Sequence, residues 1–471
     1  SGTRRVGCEA NAAKGKSALR PLLLPECKQL ASNTISLELY QMLRSVIASW
    51  TLFFGLLMIS AGSGLQNVLL GTRAPELGFS NIATGFVMSG YYAGIFAGSI
   101  IVPHILAQVG HVRVFGAMAA IASAAVLMHV AFADPILWAV MRLFSGFSFA
   151  GMYIVCESWL NEKATNETRG QLLSLYMIIN MAGMGGGQLM IGLGATGGIG
   201  LFLLASVMVS IAVVPILITV SVAPNFEAPE RLSFRRILQV SPLSVFGMAF
   251  IGLVVSMLFG MGPVYGRNLG LDNTEIGYFM TSVMVGTLLL QYPVGRLSDK
   301  FDRRAVILGV STSAAVCIAI ASFFDANQFI LLLIFTMVFG GLTFSLYSLF
   351  IAHANDFLPP SQMVAVSSGL LMVNGAGAVV GSPFAATISE IFGSRSFMPA
   401  IALILKDPLC RLERHHVGCR RSHRRGARNE SCSTEGKREA ARGAAATTTH
   451  SLRYRNDSRA RLLSGYRKLF P

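Results

Sequence analysis

Charge is what this chain has least of. Only 13% of its 471 residues are Asp, Glu, Lys or Arg, against about 25% in soluble domains. With 53% hydrophobic residues and mean hydropathy +0.58, a water-soluble fold could not cover the apolar surface, so the chain is an integral membrane protein. The seven cysteines, at 8, 27, 156, 317, 410, 419 and 432, form no Cys-x-x-Cys pair. A disulfide framework or metal site is therefore unsupported, and Cys156 and Cys317 read as small buried hydrophobes. There is no Gly-rich nucleotide loop, no selectivity-filter element and no nucleophile–base pair. These absences argue against an ATP-driven pump, a channel and an enzyme, and nothing calls for a bound cofactor.

The net charge of +15 would fit a nucleic-acid binder if it lay on a folded module. It does not. Residues 407–471 hold 14 Arg and 2 Lys against 6 acids, and residues 1–44 hold most of the remaining excess. No nucleic-acid partner is expected.

Eleven apolar runs of about 20 residues fill the body, each long enough to cross roughly 30 Å of hydrocarbon as a helix. They cover about 46–70, 82–101, 114–132, 135–156, 172–193, 199–222, 243–264, 276–294, 305–324, 329–350 and 364–391. A twelfth begins at Phe397 and stops at Lys406-Asp407-Pro408, half the length of a span. The expected organisation is a tail (1–44), a first half (45–222), a cytoplasmic linker (223–240), a second half (241–406) and a basic tail (407–471). The abrupt change after the twelfth run reads as a disordered segment, a reading-frame change or a basic lipid-binding tail. With both ends placed inside, the inner loops carry ten Lys/Arg: 113, 163, 169, 231, 235, 236, 296, 300, 303 and 304. The outer loops carry three: 73, 267 and 395. This asymmetry puts the N-terminus and the charged turn Gly295–Arg304 in the cytoplasm.

The halves repeat. Leu77-Gly78-Phe79-Ser80-Asn81 recurs 192 residues on as Leu269-Gly270-Leu271-Asp272-Asn273, and Gly85, Met88 and Gly94 match Gly277, Met280 and Gly286. Gly183 and Gly185 match Gly375 and Gly377 at the same offset. Gly146, Tyr153 and Asn161 match Gly340, Tyr347 and Asn355 with a two-residue slip. Two homologous six-helix halves around a cavity suit alternating access by rocking.

The pattern resembles the major facilitator superfamily over about residues 45–400. Gly295-x-x-x-Asp299-Lys300-x-x-Arg303-Arg304 is similar to that family's signature loop in its second-half copy, and Arg142-x-x-x-Gly146 resembles its arginine motif. Glu157-Ser-Trp, Asn166-x-x-Arg169-Gly170 and Gly187-Gln188-Leu189 are similar to an uncharacterised bacterial, YcaD-like branch. The resemblance implies an all-α polytopic fold of two pseudo-symmetric six-helix halves, here with a shortened twelfth helix. It also implies a monomeric transporter of a small molecule, surrounded by membrane lipid in the bacterial inner membrane. Two departures stand out. Pro103, Ala107 and His111 occupy the first-half places of Gly295, Asp299 and Arg303, and Gly183-Met-Gly185-Gly186-Gly187 resembles the proton-antiporter motif only loosely.

Within the body, Gly295, Asp299, Lys300, Arg303 and Arg304 are expected to form a cytoplasmic gate, with Asp299 pairing to a basic neighbour or a helix N-terminus. Glu157 either joins Arg169 in a first-half latch or carries a proton. Arg142 lies in an otherwise apolar run and must face a cavity or a partner, or else snorkel to the interface. Gln66, Asn67, Tyr91, Tyr92, Tyr153, Asn180, Gln188 and Asn374 are neutral polar groups within spans, read as cavity lining or interhelical glue. The expected activity is proton-coupled efflux of an amphiphilic or weakly polar solute, with the proton gradient as energy source. Alternatives are a uniporter or importer and, from another class, a receptor or scaffold.

Overall fold

The computed structural model describes residues 49–163, 168–194, 197–218, 238, 241–358 and 360–406. The tail 1–44, most of the linker 223–240 and the segment 407–471 lie outside the described residues, and the tail and linker expectations with them.

Among the described residues the chain is helical, with no strand. In order the helices are α1 (Trp50–Glu76), α2 (Asn81–Val109), α3 (His111–Ala131), α4 (Pro135–Lys163), α5 (Arg169–Leu189) and α6 (Gly200–Ile218). The second half supplies α7 (Pro242–Asn268), α8 (Asn273–Lys300), α9 (Arg303–Ala321), α10 (Phe329–Asn355) and α11 (Pro360–Phe392). A shorter α12 covers 397–406. Several helices outrun their apolar runs because the chain stays helical past the hydrocarbon. The largest correction falls on the charged turn: residues 295–300 are the last turns of α8, and only Phe301 and Asp302 break the helix.

The repeated Leu-Gly-x-Ser/Asp-Asn segment is a helix stop followed by a helix start. Gly78 (φ 78°) and Gly270 (φ 84°) take the left-handed conformation that ends α1 and α7. Two residues later Ser80 accepts from Ala83 N at 3.1 Å, and Asp272 accepts from Glu275 N at 2.7 Å. The Glu275 carboxylate in turn accepts from Asp272 N at 2.9 Å, completing a capping box.

Close helix crossings set the register of the two halves. A Cβ at Gly94 would strike the Leu143 carbonyl, and one at Gly146 the Tyr91 carbonyl. Their counterparts Gly286 and Gly340 sit on Met337 and Val283 in the same way. For α5 and α11 the crossings revise the sequence alignment. Gly183 and Gly187 lie on Leu57 and Ala61, whereas Gly377 and Gly381 lie on Ala249 and Leu253. The structural match is therefore Gly183 with Gly377 at 194 residues, and the slip seen in α4 and α10 persists into α5 and α11. Its source is local: α9 is two residues shorter than α3, and the turn before α10, with the short 3-10 helix Ala326–Gln328, is four residues longer than the one before α4.

The halves meet through α2 against α11 and α5 against α8, a pair of contacts related by the repeat. Nine of the described helices are long and apolar enough to cross a membrane, and α5 and α8 are not among them. Both carry Ser, Thr, Asn or Gln in their middles, and packing on one another spares those groups from lipid. On the periphery, α6 exposes Leu203, Val207, Ile211, Val214 and Ile218 in one stripe. In water such a face would aggregate; in a bilayer it is the surface that lipid requires.

Candidate functional site

Three clusters hold most of the polar groups singled out by the sequence. The first lies between α1, α2 and α4. Arg142 is 1% exposed, and its Nη2 donates to the Asn67 side-chain carbonyl. The guanidinium stands over the Tyr91 ring, 4.3 Å from the centroid, and the Tyr91 hydroxyl shares a 3.0 Å hydrogen bond with Ser63. Gln66 donates to Ser145 Oγ at 3.3 Å. The guanidinium is thus enclosed by Asn67 and the Tyr91 ring and does not reach an interface. Arg142 Nε and Nη1, Gln66 Oε1 and Ser148 Oγ are buried without a hydrogen-bond partner. Tyr92 packs edge-on to Tyr91 at 5.5 Å, and Phe149 links Tyr91 to Tyr153 at 6.1 and 6.4 Å.

The second place is the basic end of the second half. Arg303 Nη1 donates to Asp356 at 2.8 Å, its Nε donates to Ser298 Oγ at 3.1 Å, and Asp299 lies 3.5 Å away. One side chain thus ties together the ends of α8, α9 and α10. Asp302 caps α9 by accepting from Arg304 N at 3.2 Å. Arg304 leans toward the Phe357 ring at 5.9 Å, and Arg296 stands over Tyr292 at 4.5 Å. Asp299, expected at the centre of this network, is mostly exposed, and Lys300 is exposed as well. Gly295 has open space where a Cβ would go. All these contacts stay within one half.

The third place is the matching end of the first half. His111 stands where Arg303 stands in the repeat, and its Nε2 makes a 3.0 Å hydrogen bond with Ser158, beside Trp159 at 5.7 Å. Arg169 Nε donates to Asn161 Oδ1 at 2.9 Å; the described residues contain no Glu157–Arg169 ion pair. Glu157 is exposed, within electrostatic reach of Arg169, of Tyr176 and, across in the other half, of Tyr347. Its side chain therefore lies between the halves, close to tyrosines of both.

The remaining expected residues divide. Asn374 Nδ2 donates to Met248 O at 3.1 Å and ties α11 to α7. Gln188 is fully buried on α5, with both amide ends unpartnered. Ser63, Ser145 and Ser298 had no individual signal in the sequence; only Ser145, three residues after Arg142 and so on the same helix face, was open to inference.

Among the described residues, hydrogen bonds and an ion pair join the halves on the side away from the basic turns. Arg267 at the end of α7 pairs with Glu76 at the end of α1, Ser89 donates to Val379 O at 2.5 Å, and Thr281 donates to Gly185 O at 2.9 Å. The halves are thus bonded on one side, with the Glu157 carboxylate between them on the other.

A helix bundle of two pseudo-symmetric halves, bonded on one side, is an arrangement that suits alternating access. The family model described as Major Facilitator Superfamily matches residues 52–265 and 244–405, and the chain belongs to that family of multi-pass membrane transporters. It is 27% identical over 357 residues, 75% of this chain and 92% of the relative, to "Uncharacterized MFS-type transporter YcaD" of Salmonella newport (strain SL254). A relative of the same description from Escherichia coli O45:K1 is 26% identical over 358 residues, again 75% and 92% of the two chains. Among solved structures, the nucleoside transporter NupG superimposes with TM-score 0.64 at 13% identity, covering 77% of this chain and 96% of that one. A D-xylose-proton symporter does so with TM-score 0.62 at 13% identity, covering 77% and 97%. These likenesses are of fold.

Proposed function

We propose that the protein moves a small solute outward across the bacterial inner membrane by alternating access, in exchange for protons. The basic end and the N-terminus face the cytoplasm, and one chain among membrane lipids is the working unit. The observation that best supports this reading is the one-sided bonding of the halves: joined through Glu76–Arg267, Ser89–Val379 and Thr281–Gly185 at one end, with Glu157 exposed between them at the other. A solute entering from the basic side would meet that carboxylate first. Glu157 is the candidate proton carrier, because a carboxyl facing tyrosines in a closing cavity loses water and gains a proton more readily. Proton coupling is also the mode named for the D-xylose-proton symporter that shares the fold.

The test is uptake and efflux of a labelled solute panel by the purified protein in liposomes, with and without a pH gradient. Glu157→Gln is expected to retain solute exchange while losing the response to the gradient. Undiminished gradient dependence in that variant removes Glu157 from coupling.

A further inference from the structure

Arg142 is a buried cation without a buried anion. Every described Asp or Glu lies at or near a helix end: Glu76, Asp134, Glu157, Glu162, Asp272, Glu275, Asp299, Asp302, Asp325, Asp356 and Glu390. None meets the guanidinium, whose contacts are the neutral Asn67 carbonyl and the Tyr91 ring. Two of its nitrogens, Nε and Nη1, are sealed from solvent and unpartnered. Each of those nitrogens is left as a charge-assisted donor that can give a hydrogen to an oxygen of an anion.

The second half makes the same crossing without a charge. Since Gly94 and Gly146 pack as Gly286 and Gly340 do, Arg142 corresponds to Thr336, which bonds to the Leu332 carbonyl at 2.8 Å and to Ser282 at 2.9 Å. Tyr91 corresponds to Val283, Asn67 to Phe259 and Gln66 to Leu258, all buried. Helix packing of this kind therefore needs no arginine. Holding an ionised group there is costly unless something repays it, and an arginine cannot discharge by giving up its proton. A ligand that brings the missing negative charge would do so.

We infer that Arg142 is an anion-recognition element, and that the transported solute carries one compact carboxylate which accepts from the free N–H groups of its guanidinium. This rests on the reading of the chain as an alternating-access transporter. Ser145, one helical turn along α4 from Arg142, and Gln66, which donates to it, would then contact the neutral remainder of the solute. The free N–H groups are closed off in the present arrangement and become reachable as the halves move.

The test uses the full chain purified in detergent, with acetate, benzoate and octanoate as probes beside their amides, and chloride as a competing anion at constant ionic strength. Thermal-shift titration is expected to give binding of at least one carboxylate but not of its amide. Arg142→Gln should weaken that binding about tenfold or more, with Arg142→Lys between the two. Arg142→Thr, the other half's residue, guards against misfolding, because that side chain already packs at the equivalent crossing; it too should lose carboxylate binding while eluting as a folded monomer. The inference is overturned if no carboxylate binds, if the amides or chloride do as well, or if folded Arg142→Thr binds like the parent. Labelled counterflow in liposomes separates the two readings. Carboxylate binding without counterflow would sink transport and leave the anion site standing; counterflow of neutral solutes alone would do the reverse.

Discussion

Arg303 is the residue on which the basic end of the second half depends, although Asp299 is the more conspicuous in the sequence. Its guanidinium reaches Asp356 and Ser298 while Asp299 stays largely in solvent. Arg303→Ala should therefore cost about 1 kcal/mol, the upper range for a partly exposed ion pair, read as a lower melting temperature in detergent. Asp299→Ala should change little by the same measurement. The sequence could not rank the two, because Asp356 lies 53 residues on from Arg303 and only the fold brings them together. For Arg142 the sequence showed that the charge needed a cavity, a partner or an interface, since an arginine amid apolar residues is conspicuous. That the partner would be Asn67, 75 residues earlier, depended on how α1 and α4 cross.

At the scale of elements, the legible part was the spans. Eleven apolar runs became eleven helices, because length and hydropathy are enough to specify a helix where water is absent. What was not legible was their extent into the polar region, and the polar pair α5 and α8, whose composition makes sense only when each covers the other. The repeat register was half legible. Glycines are frequent enough in α5 and α11 for a two-residue shift to go unnoticed, and it took the carbonyls they rest on to fix it. The crossings themselves are demanding. Gly286→Leu would drive a side chain into the Met337 carbonyl and should destabilise by at least the ~1–3 kcal/mol typical of overpacking, measured by thermal unfolding. Gly295→Leu, on the same helix with open space around it, should be tolerated.

For the whole molecule, the Glu76–Arg267 pair is the ion pair that joins the halves among the described residues, and it ties the ends of α1 and α7, the first helix of each. If the halves rock, this end must part during each cycle. Glu76→Cys with Arg267→Cys, joined by a short bifunctional thiol reagent in a version whose own cysteines are replaced by serine, should arrest transport. The uncrosslinked double variant should still turn over. Transport that continues after complete crosslinking would count against separation at this end.

The longer turn before α10 carries a practical consequence. It is where the second half holds four residues more than the first, and no helix crossing was disturbed by them. A turn that has absorbed length once is a natural place to put more. A short epitope inserted after Ala326 should leave folding intact and sit at the end of the molecule away from the basic turns. Antibody access in intact cells, compared with opened ones, would then report which way round the protein lies in its membrane.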